Sequence, residues 1–143
     1  MCAALGGRAA EKVIFDKIST GALSDLEKVT KQARAMVTVY GLSDKIGNLT
    51  YYDSSGQNEY GFTKPYSEQT AELIDKEISD IVEEQYQRAI ALLETHKDKL
   101  VELAEVLLKD EVIFKDNLEA IFGKRPFDSK NEEQSTTAKE EEE

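Results

Sequence analysis

One cysteine, one histidine, two prolines and no tryptophan are all that 143 residues hold of those types. With Cys2 alone, no internal disulfide framework and no Cys-based zinc cluster can form. With His96 alone, no two-histidine metal site can be made by this chain by itself. Positive charge is also scarce: 18 Lys+Arg face 29 Asp+Glu, a formal net charge of −11. That balance argues against non-specific nucleic-acid binding, which depends on cationic neutralisation of phosphates, and against a basic helix lying on a membrane surface. No run approaches the ~18 apolar residues of a transmembrane helix, and the N-terminus lacks the basic start and apolar length of a signal peptide. Gly6-Gly7 and Gly21 have neither the spacing nor the lysine of a phosphate-binding loop.

What remains is a chain with 40% hydrophobic and 33% charged residues. Its length suits one domain, in which about 68–70% of the unfolded surface can be buried. Residues 3–15 are good helix formers interrupted by Gly6-Gly7, a pair that costs about 1 kcal/mol each relative to alanine and implies a compensating close approach of another backbone. No capping residue precedes this segment, so it reads as the interior of a packed helix and the domain is expected to be cut here. Asp16 to Gly21 is a connector. From Ala22 the set Leu26, Val29, Ala33, Val37 and Tyr40 makes one helical stripe, stopped by Gly41. Residues 42–64 change character. Leu49-Thr50-Tyr51-Tyr52 and Tyr60-Gly61-Phe62-Thr63 favour β structure around the turn-forming Asp53-Ser54-Ser55-Gly56, which predicts a small hairpin or extended insertion.

After Pro65, Ser67 is placed to cap the longest periodic segment, whose stripe runs Leu73-Ile74, Ile78, Ile81-Val82, Tyr86, Ala89-Ile90 and Leu93. Thr95 with Asp98 and Asp116 with Glu119 have the shape of two further helix starts, the second helix ending at Gly123. Residues 128–143 hold seven acids and two lysines, net −5, with no aromatic or β-branched aliphatic side chain. Such a segment cannot offset its ordering entropy and is expected to be a disordered acidic tail. The expected fold is mainly α: a helical body over 1–127 with a small β-hairpin or extended insertion, followed by the tail.

Candidate chemistry is sparse. Cys2 and His96 are the only pair from which a nucleophile and base could be drawn, and they read more simply as a small core residue and a solvated junction residue. Among the carboxylates, Ser24-x-x-Glu27 has the spacing of a capping box, which would make Asp25 a first-turn acid complementing the helix dipole. Glu11 on the first helix is, by pattern alone, one exposed charge among 29 acids.

A resemblance adds to this reading. Leu5-Gly6-Gly7-Arg8-Ala9-Ala10-Glu11, followed by Ser19-Thr20-Gly21-Ala22 and Asp25-Leu26, resembles the peptidase domain of the FtsH family, membrane-anchored ATP-dependent zinc metalloproteases. The likeness continues through Met36-Val37, Gly41-Leu42-Ser43-x-Lys45-Ile46-Gly47, Tyr66-Ser67-Glu68-x-Thr70-Ala71, Ile74-Asp75-x-Glu77, Arg88-Ala89, Leu92-Leu93 and Arg125-Pro126-Phe127. It covers about residues 1–127 in order. In that family zinc is held by the two histidines of a His-Glu-x-x-His helix and by an aspartate supplied later. The resemblance implies that Asp25 is this third ligand, in a three-ligand site that leaves one position for water. It also implies that Glu11 lies close to the metal, where it can orient a ligating histidine. This chain has Ser24 where the family often has Asn or Asp.

The resemblance further implies what this chain does not carry. No catalytic residue is expected in it, since the general base belongs to the His-Glu-x-x-His helix, expected upstream. The transmembrane helices and the ATP-binding motor are likewise absent from it. The chain is expected to be inactive in isolation and soluble. In its parent protein it would complete the zinc site and help form the proteolytic ring of a homohexamer on the cytoplasmic or matrix side of a membrane. That ring would receive unfolded or membrane-extracted protein substrates. The alternative is a stand-alone, non-enzymatic helical module that keeps the fold and docks onto or regulates the full-length protease. The tail gives a direct test: deleting 128–143 is expected to leave the thermal unfolding midpoint nearly unchanged, and a large fall would contradict its predicted disorder.

Overall fold

A computed structural model of the chain describes residues 1–52 and 64–125. The described residues are mainly helical, with five helices in the order α1 (Gly6–Phe15), α2 (Leu23–Thr38), α3 (Glu68–Thr95), α4 (Lys97–Asp110) and α5 (Lys115–Phe122). They divide into two compact units, one spanning Met1–Thr95 and a second beginning at His96. Among the described residues there is no strand: Leu49–Tyr52 is irregular, and the Tyr51 N–H donates to the Thr38 carbonyl at the end of α2, 2.8 Å away. The other half of the expected hairpin, residues 53–63, and the acidic tail lie outside the described residues.

In the first unit α1 and α2 each pack on α3. The i, i+4 spacing of Ala33 and Val37 on α2 meets that of Ile74 and Ile78 on α3, and these four residues are buried together. Tyr51 and Tyr66 close the cluster with rings edge-to-face, centroids 4.9 Å apart. Leu5, Ala9, Val29, Ala71 and Ala89 are also buried. In this unit the expected stripes of α2 and α3 are buried or half-buried, except at Tyr40. That residue is exposed because α2 ends at Thr38 and the chain leaves the helical register two residues early. Gly41 supplies the expected stop at φ +62, where an added Cβ would lie 3.3 Å from the Leu49 carbonyl oxygen.

The capping expectations divide. Ser67 caps α3 as predicted, its Oγ accepting from the Thr70 N–H at 3.2 Å. Ser24 is not a cap: α2 begins at Leu23 after Ala22, so Ser24 is already helical and Asp25 stands in the first turn. Thr95 is not one either, since its hydroxyl donates back to the Ala91 carbonyl at 2.8 Å and α4 starts after His96. At α5 the working side chain is Asn117, whose Oδ1 accepts from the Phe114 N–H at 3.0 Å, in place of the expected Asp116 and Glu119 pair. The two glycines at the chain's start open α1 rather than interrupting it. Residues before Gly6 form turns, with the Leu5 N–H bonded to the Met1 and Cys2 carbonyls.

In the second unit α4 and α5 pack on each other without a single buried residue in either. Leu108 and Phe114 are widely exposed, and Lys99 lies over the Phe122 ring at 5.7 Å from its centroid.

One buried polar group has no counterpart in the hydrophobic pattern. Glu77, on the core side of α3, is 7% exposed. Its carboxylate accepts from Ser43 Oγ at 2.7 Å and from Lys45 Nζ, and Lys45 also reaches Asp80 at 3.4 Å. The motif segments around Ser43-x-Lys45 and Glu77 therefore meet in space and tie the loop after α2 to α3. The Lys45 ammonium, then the Ser43 hydroxyl, hold the Glu77 carboxyl below the usual carboxylate range against the opposing effect of burial.

Removing this acceptor in Glu77→Ala is expected to cost about 1–3 kcal/mol by urea denaturation, because the buried Ser43 hydroxyl loses its partner while Lys45 can turn to water. The folded state is the stronger acid at Glu77, so as pH falls the unfolded chain takes up the proton first. The contribution of Glu77 is thus complete above the ordinary Glu value of about 4.3 and is lost as pH drops through the lowered folded value. Glu77→Gln is expected to flatten that part of the stability–pH curve; an unchanged slope would mean the carboxylate is not held by these partners.

Candidate functional site

Glu11 stands on α1 and Asp25 on α2, fourteen positions apart, and the connector between the helices decides where each carboxylate lies. Helix α1 ends at Asp16, which adopts the left-handed conformation at φ 51 without being glycine. An aspartate tolerates this conformation through local hydrogen bonding, and here its carboxylate also meets Lys12 Nζ at 2.5 Å. The chain then turns back along α1. The Ser19 N–H donates to Glu11 Oε2 at 3.0 Å and the Ser19 hydroxyl donates to Glu11 Oε1 at 2.5 Å. That hydroxyl in turn accepts from the Gly21 N–H at 3.3 Å. Two residues later α2 begins, with Asp25 in its first turn, where the helix dipole favours a negative charge.

The result is an open cleft of about 150 Å³ lined by Gly7, Arg8, Glu11, Gly21, Ala22 and Asp25. Both carboxylates singled out in the sequence are on its wall. Their surroundings differ. Each Glu11 oxygen accepts from Ser19, and the Ser19 hydroxyl, then its N–H, then the charge of Arg8 hold the Glu11 carboxyl below the usual range. Asp25 carries a looser partner: Lys28 Nζ is 3.7 Å from its Oδ1, within ion-pair range and beyond a hydrogen bond. Carboxylate oxygens are among the protein groups that can coordinate zinc. Glycines at 7 and 21 leave the wall low, and a Cβ at Gly7 would meet nothing within 4 Å.

Cys2 is half-buried ahead of α1 and His96 is exposed at the start of α4. Among the described residues no three His, Cys, Asp or Glu side chains are grouped to hold a metal ion. A larger hollow of about 340 Å³ in the second unit is lined by the apolar Ile113, Phe114, Leu118 and Phe122 together with Lys115, Glu119 and Arg125, and there Lys115 Nζ pairs with Glu119 Oε1 at 3.2 Å. Ser19 and Arg8 belong to motif segments of the sequence, yet their parts in this cleft are not readable from it. A hydroxyl bonding a carboxylate eight residues back matches no helical or strand spacing.

The sequence model of Peptidase family M41 matches residues 1–121. The chain is 58% identical over 133 residues to an ATP-dependent zinc metalloprotease FtsH of Parabacteroides distasonis, covering 93% of this chain and 19% of that relative. A protein of the same name from Karelsulcia muelleri is 54% identical over 121 residues, 85% of this chain and 19% of its own length. The mitochondrial ATP-dependent zinc metalloprotease FTSH 3 of Arabidopsis thaliana is 52% identical over 128 residues, 90% of this chain and 16% of its own length. The chain thus spans less than a fifth of the length of these curated relatives. On the match over 1–121 and on these identities, the chain belongs to peptidase family M41.

Proposed function

We propose that the chain forms part of an ATP-dependent zinc metalloendopeptidase, in which Asp25 is a protein ligand of the zinc and the helices around it are the body of the proteolytic unit. The observation that carries this reading is the convergence of Glu11 and Asp25, from two helices, on one cleft. The names of the relatives at 52–58% identity supply the reaction class. The chemistry a bound zinc supplies is Lewis-acid activation of water toward a peptide carbonyl. Of this chain's residues, Asp25 contributes a carboxylate to the metal. Glu11 stands beside it with lone pairs beyond the two that Ser19 occupies, available to orient a ligating histidine. The other two ligands and the general base belong to a His-Glu-x-x-His helix outside this chain. The net charge of −11 suits a body that presents no cationic surface to nucleic acid.

The same reading puts the chain in a homohexamer whose motor hydrolyses ATP and delivers unfolded or membrane-extracted proteins to the peptidase. Among the described residues no helix is long and apolar enough to cross a membrane. On this reading the membrane anchor is carried elsewhere in the parent protein, and this part faces the cytoplasm or the mitochondrial matrix.

In the full-length protease, Asp25→Ala is expected to lower zinc-dependent proteolysis by more than about 100-fold, beyond the loss that follows removal of a residue merely orienting a ligand. Zinc content per subunit should fall with it, measured by atomic absorption after gel filtration. A variant that keeps full zinc and full proteolysis would overturn the assignment of Asp25.

A further inference from the structure

Ser19 stands in the connector between the two helices that carry the candidate ligands. Its side-chain oxygen makes two bonds in opposite directions along the chain: it donates to Glu11 Oε1 on α1 and accepts from the Gly21 N–H, two residues before α2. Its own N–H makes a third bond, to the other Glu11 oxygen. The connector is thus fastened to α1 at one carboxylate, and the next residues, Gly21 and Ala22, are themselves walls of the cleft that Asp25 lines. Because the chain is helical from Leu23 onward, the place where Gly21 and Ala22 are pinned bears on the direction in which the first turn presents Asp25.

We propose that Ser19 is a positioning residue for the metal site. Its hydroxyl couples Glu11 to the start of α2 and thereby holds the Asp25 carboxylate in the orientation that zinc requires. This rests on the reading of Asp25 as a zinc ligand and adds a residue that acts through the two carboxylates without touching the metal. The hydroxyl, rather than the backbone, is the coupling element: Ser19→Ala keeps the N–H bond to Glu11 and loses both bonds of the oxygen. Ser19→Thr keeps an oxygen able to make both.

The test is zinc retention by the full-length, zinc-loaded protease, followed as zinc transfer to an excess of colorimetric chelator. Ser19→Ala is expected to release zinc about tenfold faster than the parent, at the lower end of the range for residues that support ligands. Ser19→Thr should release it at close to the parental rate, and the unfolding midpoints of the zinc-free forms should agree. In a double-mutant cycle with Glu11→Ala, the pair should lose little more than the Glu11 variant alone, since both changes break the same coupling. Parental zinc release by Ser19→Ala, or equally fast release by Ser19→Thr, would overturn the proposal. So would a zinc-free midpoint that falls far enough to account for the faster release, because Ser19 would then support only the fold. Asp25→Ala run alongside separates the two levels. If it retains zinc, the ligand reading itself fails; if it loses zinc while Ser19→Ala does not, only the role of Ser19 fails.

Discussion

The cleft between Glu11 and Asp25 depends on both α1 and α2 burying an apolar face on α3. Ala33 and Val37 of α2 against Ile74 and Ile78 of α3 form the centre of the α2 contact, and all four are nearly or fully removed from water. Burial of this kind is non-directional and scales with area, so it brings helices together without specifying how their ends are arranged. In this unit the arrangement is finished by polar contacts at the helix ends. Glu77 with Ser43 and Lys45 anchors the loop leaving α2, and Ser19 with Glu11 and Gly21 anchors the connector entering it. Helix α2 is therefore held on its apolar side by α3 and tied at both ends by a carboxylate on a neighbouring helix.

The two clamps differ in their exposure and hence in what they do. Glu77 is buried, so its hydrogen bonds offset the cost of desolvating a charge, and they hold its carboxyl below the usual carboxylate range. Glu11 and Ser19 are more open to water, where a hydrogen bond contributes little to net stability and much to geometry. On the proposed reading of Asp25 as a zinc ligand, a contact that orients more than it stabilises suits the edge of the site, where a small displacement of a ligand matters more than the free energy of the fold.

The second unit has a different character. Helices α4 and α5 meet without a buried residue, and Leu107, Leu108, Phe114 and Phe122 leave apolar surface open. In α4, Leu100, Leu103 and Leu107-Leu108 follow the 3.6-residue helical repeat. The depth to which each leucine is covered depends on neighbours that the repeat does not name.

The sequence by itself determined the helices, their order and most of their buried faces, because the i, i+3, i+4 spacing of apolar residues is a local property that survives into the packed state. It determined the stops at Gly41 and Gly123, where positive φ favours glycine, and it singled out Glu11 and Asp25 through the likeness of their surrounding motifs to a known peptidase. Tertiary structure alone decided the rest. It put Ala22 rather than Ser24 at the start of α2, and it buried Glu77, a charged residue that a hydrophobic pattern assigns to the surface. It also joined Ser19 to a carboxylate eight residues back, bringing two carboxylates fourteen residues apart to one cleft. Each of these depends on where one helix ends relative to another, and that is set by packing on α3, which no local spacing encodes.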